Sequence, residues 1–333
     1  MASTTALKFL AGMAMLLVVA SVSLHVGSEP VAVMDGLCAW WRGDLVAEAL
    51  IVGEVRLPRT LLALGVGAAL GAAGAALQGL LRNPLAEPGL TGASQGAALG
   101  AAAVFYHGWW AWAGPLAVPM AAMLGAALTL LFMLVLAGSA RASMVIMAGL
   151  AVSTVSGALL ALVLNYAPNP FAMQELVYWL MGSVADRGMT EVGWLAAALL
   201  LGMGLLWSQR RLLAALSLGD VVAGTLGVNV RWGSRLVVVG AAILVGASVA
   251  VAGSVGFVGL IVPHVVRPWV GHRPDRLLWS SAALGAGLVC VADMVVRSLR
   301  GWREWMGGGL TALVGARGCR WGVGRGRVGW GGP

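Results

Sequence analysis

PGLTGASQGAALGAAAVFYHGWWAWAGPLAVPMAAMLGAALTLLFMLVLAGSA, residues 88–140, contains no Asp, Glu, Lys or Arg. A helix needs about 20 mostly apolar residues to cross the ~30 Å hydrocarbon core of a bilayer. The run is long enough for two crossings. His107-Gly108-Trp109-Trp110-Ala111-Trp112 divides it with an aromatic cluster of the kind that settles at a membrane–water interface. Further charge-free runs cover 60–81, 142–174, 192–209, 236–266, 277–292 and 305–316, and another follows Lys8. Over all 333 residues, hydrophobic side chains make up 60% and charged ones 10%. A soluble domain averages about 25% charged, so this chain cannot solvate a soluble surface, and it is too apolar to be disordered. Strict apolar–polar alternation is absent, which argues against an outer-membrane barrel. The fold class is all-α, a polytopic membrane helical bundle of about ten transmembrane helices.

With the N-terminus inside, helices are expected at about 7–26, 58–80, 90–107, 114–137, 143–166, 191–207, 235–252, 257–269 and 277–296. A tenth falls near 305–322, and a short amphipathic piece at 172–182. The segment 27–56 reads as an outer loop. Pro58 opens the next helix, in the first turn, where a missing N–H had no partner anyway. The first apolar segment is too long for a signal peptide and lacks a clean cleavage site, so it reads as a retained helix. Of the 21 lysines and arginines, this topology puts fourteen inside and seven outside, the asymmetry that cytoplasmic loops carry.

Several chemistries are excluded. Lys8 is the sole lysine, so the phosphate-cradling G-x-x-x-x-G-K-[ST] motif cannot occur. Any ATP-driven work must be powered by another subunit. Cys38, Cys290 and Cys319 are far apart and match no metal spacing. No metal, cofactor or catalytic constellation is expected. The net charge of +8 fits cytoplasmic loops facing anionic lipid rather than nucleic acid. The G-x-x-x-G pairs Gly67/Gly71 and Gly96/Gly100 read as close helix packing and specify no dimer seam.

Three stretches go beyond composition. The first runs Arg56-Leu-Pro-Arg59, Gly74-Ala-Ala-Leu-Gln78 and Arg82-Asn-Pro-Leu-Ala-Glu-Pro-Gly-Leu90. The second is Leu218-Gly219-Asp220, continuing through Thr225-Leu226-Gly227-Val-Asn-Val-Arg231. The third is Gly253-Ser-Val-Gly256-Phe-Val-Gly-Leu-Ile-Val-Pro263-His264-Val-Val-Arg267, followed by Asp293 and Arg297. Asn83-Pro84 and Glu87-Pro88 mark an abrupt inside break, either a plain turn or an element of a gate. Gln78 is an intramembrane amide and wants a partner in the bundle or a wet cavity. In 217–231, Leu218, Val221, Val222, Leu226 and Val228 give two short helical pieces an apolar face. That face suits either lipid or a seat in a partner. Pro263 is expected to break its helix before His264. His264 has no companion ligand and reads as a structural histidine. Asp293 and Arg297 share a helix face at i,i+4, and the carboxylate is structural or functional on equal terms.

In order and spacing, from about residue 7 to 316, these stretches resemble the FecCD family. That family comprises the permeases of type II ABC importers for iron–siderophores, haem and vitamin B12. The resemblance implies a BtuC-like bundle of ten helices in the bacterial inner (cytoplasmic) membrane. It implies a homodimer with the pathway at the subunit interface, two ATP-binding-cassette ATPase subunits below and one periplasmic substrate-binding protein above. It assigns Arg56, Arg59 and Arg297 to docking acidic residues of the binding protein, with interfacial snorkelling as the rival reading. It assigns Leu218, Gly219, Asp220, Leu226, Gly227 and Arg231 to ATPase coupling. Gln78, Asn83, Pro84, Gly256, Pro263 and His264 become pathway or gate candidates. A secondary transporter driven by an ion gradient is the alternative, but it usually needs ionisable residues buried at mid-membrane, and few lie in these helices.

The permease-type domain is expected over 1–316. From Glu304 the sequence keeps only part of the family's last helix, and 317–333 is an atypical Gly/Arg/Trp tail that reads like a changed reading frame. Charges and repeated glycines oppose a spanning helix there, so the tenth pass is expected to be frayed or missing.

Overall fold

The structure, a computed structural model, describes residues 2–27, 29–138, 142–271 and 274–298. The expected tenth pass and the tail lie outside the described residues. Every regular element among the described residues is helical. In chain order the α-helices are α1 (Ala2–His25), α2 (Val33–Arg42), α3 (Ala47–Leu50), α4 (Leu57–Leu81), α5 (Ala93–His107), α6 (Ala117–Ala137) and α7 (Ala142–Asn165). Then come α8 (Pro170–Met181), α9 (Met189–Ser208), α10 (Arg210–Leu216), α11 (Asp220–Thr225), α12 (Val230–Ala252), α13 (Val258–Val270) and α14 (Pro274–Ser298).

Burial orders the bundle. The apolar windows of α4 and α12 are 83% and 78% buried, against 22% for α7 and 28% for α9. The first pair is the core, and the second turns most of its surface outward. α4 can be central because its sequence is nearly all Gly, Ala and Leu, which lets backbones meet. A Cβ on Gly67 would stand 2.1 Å from Gly285 O of α14, and one on Gly74 would stand 1.9 Å from Gly259 O of α13. The Gly96/Gly100 pair faces Gly125 and Ala121 of α6 in the same way. Both G-x-x-x-G pairs are therefore used inside the chain.

Six helices among the described residues are long and apolar enough to cross a membrane, fewer than the expected ten. The two shortest central helices explain much of the gap. α5 has 15 residues and α13 has 13, or about 22 Å and 20 Å at 1.5 Å per residue. Each adjoins a stretch of irregular backbone. After Arg82 the chain does not stay at the bundle's end. It climbs back until Pro88 packs on Gly259, at the level of Leu70 and Gly74 of α4. That level is about 12 Å up the helix from Arg82. Irregular backbone at this depth survives because protein, not lipid, surrounds it.

Two local expectations are corrected. The segment 27–56 is not an open loop: it contains α2, and from Ala47 the chain is helical without interruption to Leu81. Pro58 thus lies inside a continuous helix. A proline ring clashes with the carbonyl four residues earlier, and the π-helical turn Ile51–Arg56 just before it widens the coil there. Likewise Pro263 does not break its helix, since α13 runs through both Pro263 and Pro268. The cause is a donor from another helix, described below.

Candidate functional site

The expected site residues gather at three levels. At one end, α1, α4 and α14 converge on Asp293, which is 6% exposed. Arg59 Nε and Nη2 donate to Asp293 Oδ1 at 3.0 and 2.8 Å. Arg297, one turn along α14, holds Nε 3.0 Å from Asp293 Oδ2, an ion pair without the alignment of a hydrogen bond. Its Nη1 donates to Ser23 O and Val26 O, both at 3.1 Å, and its Nη2 lies 2.5 Å from Ser23 Oγ. Ser23 Oγ in turn stands 2.8 Å from Thr60 Oγ1. Arg56 is 5% exposed; it donates to Leu24 O at 2.9 Å and also to Glu29 O. The structure therefore brings all three expected docking arginines together and ties each into its own chain. Asp293 between Arg59 and Arg297 offsets part of the repulsion that three cations on one face would otherwise feel.

Nearby, α2 is clamped to the helical stretch below it. Trp40 Nε1 donates to Glu54 Oε1 at 2.8 Å. Its ring occupies the space a Cβ on Gly53 would need. Met34, Trp41 and Leu45 stay exposed along α2 and just beyond it.

The middle level centres on α13. A helical proline leaves the carbonyl four residues back without its N–H, and for Pro263 that carbonyl is Gly259 O. Gln78 of α4 is 2% exposed, and its Nε2 reaches Gly259 O at 3.4 Å and Leu260 O at 3.1 Å. Arg267 Nη2 donates to Gln78 Oε1 at 2.7 Å, which fixes which way the amide faces. Gln78 finds its partner in the bundle and supplies the donor that Pro263 lacks. Immediately before α13, at its N-cap, Phe257 N–H donates to Glu87 Oε1 at 3.0 Å. Gly256 is half-buried beside this bond, and His264 is exposed on α13. Asn83 and Pro84 are exposed at the start of the climbing segment, where Asn83 Oδ1 accepts from Leu85 N–H at 2.9 Å.

At the far end, 217–231 holds one short helix, α11, and the start of α12, not the two short pieces expected; the other short helix, α10, lies just before it. α10 buries Leu212, Leu213 and Leu216 against the bundle. Gly219, at φ 106°, turns the chain into α11, and Gly227, at φ 76°, turns it out again. Both conformations suit glycine and strain other residues. α11, which Asp220 opens, buries Ala223 and leaves Leu218, Val221 and Leu226 exposed by 64%, 82% and 60%. Arg231 is exposed at the start of α12, which Asn229 caps by accepting from Trp232 N–H at 3.0 Å. This end also carries Arg82, Arg210, Arg211 and Arg235.

Among the described residues no three His, Cys, Asp or Glu side chains cluster as metal ligands would. What the arrangement offers is a self-satisfied charged end, a buried polar stitch at mid-bundle, and an unpartnered apolar ridge.

Sequence reasoning missed Glu87 and Arg267 as contact residues. Arg267 had a signal: it lies one turn beyond Pro263, on a helix that needed a donor. The pairing of Arg59 with Asp293 spans 234 positions and leaves no local trace.

Residues 15–317 match the model of the FecCD transport family. The cobalamin import permease of Halobacterium salinarum is 36% identical over 310 residues, covering 89% of this chain and 82% of that protein. The hemin transport permease of Yersinia pestis is 38% identical over 278 residues, covering 79% of each. A vitamin B12 import permease of Salmonella paratyphi A is 36% identical, covering 93% of this chain and 92% of that one. Among solved structures, a chain from an inward-facing ABC transporter assigned to the metal-chelate type superimposes with a TM-score of 0.83. It is 31% identical and covers 94% of this chain and 97% of that one.

Proposed function

The chain belongs to the FecCD transport family, and from that membership we propose how its parts divide the work of import. The protein is a multi-pass inner-membrane permease subunit of an ABC importer for metal chelates. It is not an enzyme: a partner ATPase hydrolyses ATP, and a binding protein delivers cargo. The specific cargo is an iron chelate, with siderophore-bound iron the first to test. Haem and cobalamin stand beside it, because relatives are named for hemin and cobalamin import.

In this reading two copies pair with two ATPase subunits, the pathway lies between the copies, and each copy contributes about ten passes. The ridge Leu218–Val221–Leu226 is the knob that seats in the ATPase groove, with Gly219, Asp220, Gly227 and Arg231 shaping and flanking it. The observation that carries this is the exposure of three large apolar residues on and flanking a short, glycine-bounded helix at the arginine-rich end. Such a patch is costly unless something covers it, and a rigid knob transmits displacement where a lipid-lying helix would slide. Arg56, Arg59 and Arg297 mark the opposite, binding-protein face. There the arginine cluster sets the shape that receives an acidic lobe, through the edge of Arg59 that remains open. Gln78, Asn83, Pro84, Gly256, Pro263 and His264 border the gate.

The test is purification from membranes in mild detergent, with the ATPase and binding protein co-expressed. Co-elution of both, and ATP-dependent uptake of the chelate carried by that binding protein into proteoliposomes, is the expected result. Recovery of the chain without the ATPase under those conditions would sink the coupling assignment.

A further inference from the structure

Two irregular segments approach the middle of the bundle from opposite directions. One is 82–92, climbing from the arginine-rich end and closing with a 3-10 turn over Pro88–Thr91; the other is 253–257, descending from the end of α12. They meet at a single hydrogen bond, from Phe257 N–H to Glu87 Oε1. Phe257 sits at φ 66°, a left-handed conformation that costs a bulky residue roughly 1 kcal/mol or more. Its carbonyl accepts from Ile261 N–H at 2.9 Å and so belongs to the first turn of α13. Its own N–H faces away from that turn, and Glu87 takes it. The carboxylate also stands at the positive end of the α13 dipole.

Pro88, next in sequence, seals the contact: a Cβ on Gly259 would stand 2.6 Å from Pro88 Cδ. Lower down, Gln78 and Arg267 stitch the same helix to α4. The 13 residues of α13 are thus gripped near both ends by one stretch of chain, 74–88, whose turn at Arg82 lies beside Gly219. Glu87 thereby joins the climbing segment to the N-terminus of α13.

We propose that Glu87 is a positioning residue for transport. Its carboxylate holds the N-terminus of α13 at mid-bundle, and passage of cargo requires that hold to be released and remade in each ATPase cycle. The proposal rests on the importer reading above. It adds a residue whose loss uncouples ATP turnover from passage without removing either partner.

The experiment reconstitutes the complete complex in proteoliposomes and measures cargo imported per ATP hydrolysed for wild type, Glu87→Ala and Glu87→Gln. Glu87→Ala is expected to lower that ratio about tenfold, the upper range for a lost coupling contact, with assembly and ATPase rate retained. Glu87→Gln keeps an oxygen acceptor for Phe257 N–H and should restore the ratio. A merely structural contact would lower assembly, ATPase rate and uptake together, and an unchanged ratio in assembled Glu87→Ala would overturn the proposal. Amide exchange over 253–258 in the wild-type complex supplies a second readout that does not depend on the variant folding. Exchange at Phe257 should quicken when the ATPases are trapped closed, and equal exchange in both states would overturn the latch. A wild-type complex that imports nothing would refute the importer reading instead, and the exchange measurement would still decide the latch.

Discussion

The two ends of the molecule solve opposite problems. At the end built from α1, α4 and α14, three arginines are drawn inward, and their charge is spent on Asp293 and on the carbonyls of residues 23–29. At the end built from α10 and α11, a helix of six residues turns Val221 outward, with Leu218 and Leu226 on either side of it. Residue type alone would rank these ends the other way, since arginines look like recognition groups and leucines like filler. What matters is whether a group's interactions are already satisfied within its own chain. The arginine end is a rivet that fixes three helices, and the apolar end is an unfinished surface.

The sharpest way to break this comparison is Asp293→Asn. It leaves two guanidinium groups facing each other with no anion, and removing one member of a buried charge set costs about 3 kcal/mol. Thermal unfolding of the detergent-solubilised chain should show the loss. A melting temperature within a degree of wild type would mean that the arginines are hydrated and the rivet is illusory. Arg59→Lys is subtler. Lysine keeps the charge but cannot make the forked contact, so we expect a loss of about 1 kcal/mol with little change in affinity for the binding protein. If affinity falls while stability holds, Arg59 contributes to docking more than to the rivet. At the other end, Val221→Asp should leave stability unchanged within about 0.5 kcal/mol, as for exposed sites generally. Co-purification of the ATPase and uptake should both fall. Unchanged uptake in that variant would remove the ridge from the coupling path. A double variant, Asp293→Asn with Val221→Asp, should lose stability by the first change alone, because sites this far apart add.

Much of this was legible from residues. Charge-free runs located the long helices α4, α6, α7, α9, α12 and α14 to within a few positions, except that helix already runs from Ala47 into α4 and α12 starts early. The glycines around 217–227 announced a turn–helix–turn, and Asp293–Arg297 announced its own pair by i,i+4 spacing. What could not be read was depth. Hydropathy reports whether a residue can lie in the membrane, not whether the chain turns back within it. The climb of 82–92 beside Gly259, and the uninterrupted helix through Pro58, depend on contacts made by residues far away in sequence. Pro263 shows the same limit: as a local signal it ends a helix, and only Gln78, 185 positions earlier, reverses that.

That reversal has a consequence for how the protein is made. α13 is too short to span a bilayer and carries two prolines, so on leaving the ribosome it is a poor candidate for insertion by itself. The donor that completes it is already in the membrane by then, on α4. The order of synthesis therefore suits the structure: the buried amide waits, and the proline helix is threaded against it. A circularly permuted gene that placed α13 before α4 would ask the translocon to accept a segment whose missing hydrogen bond had not yet been synthesised.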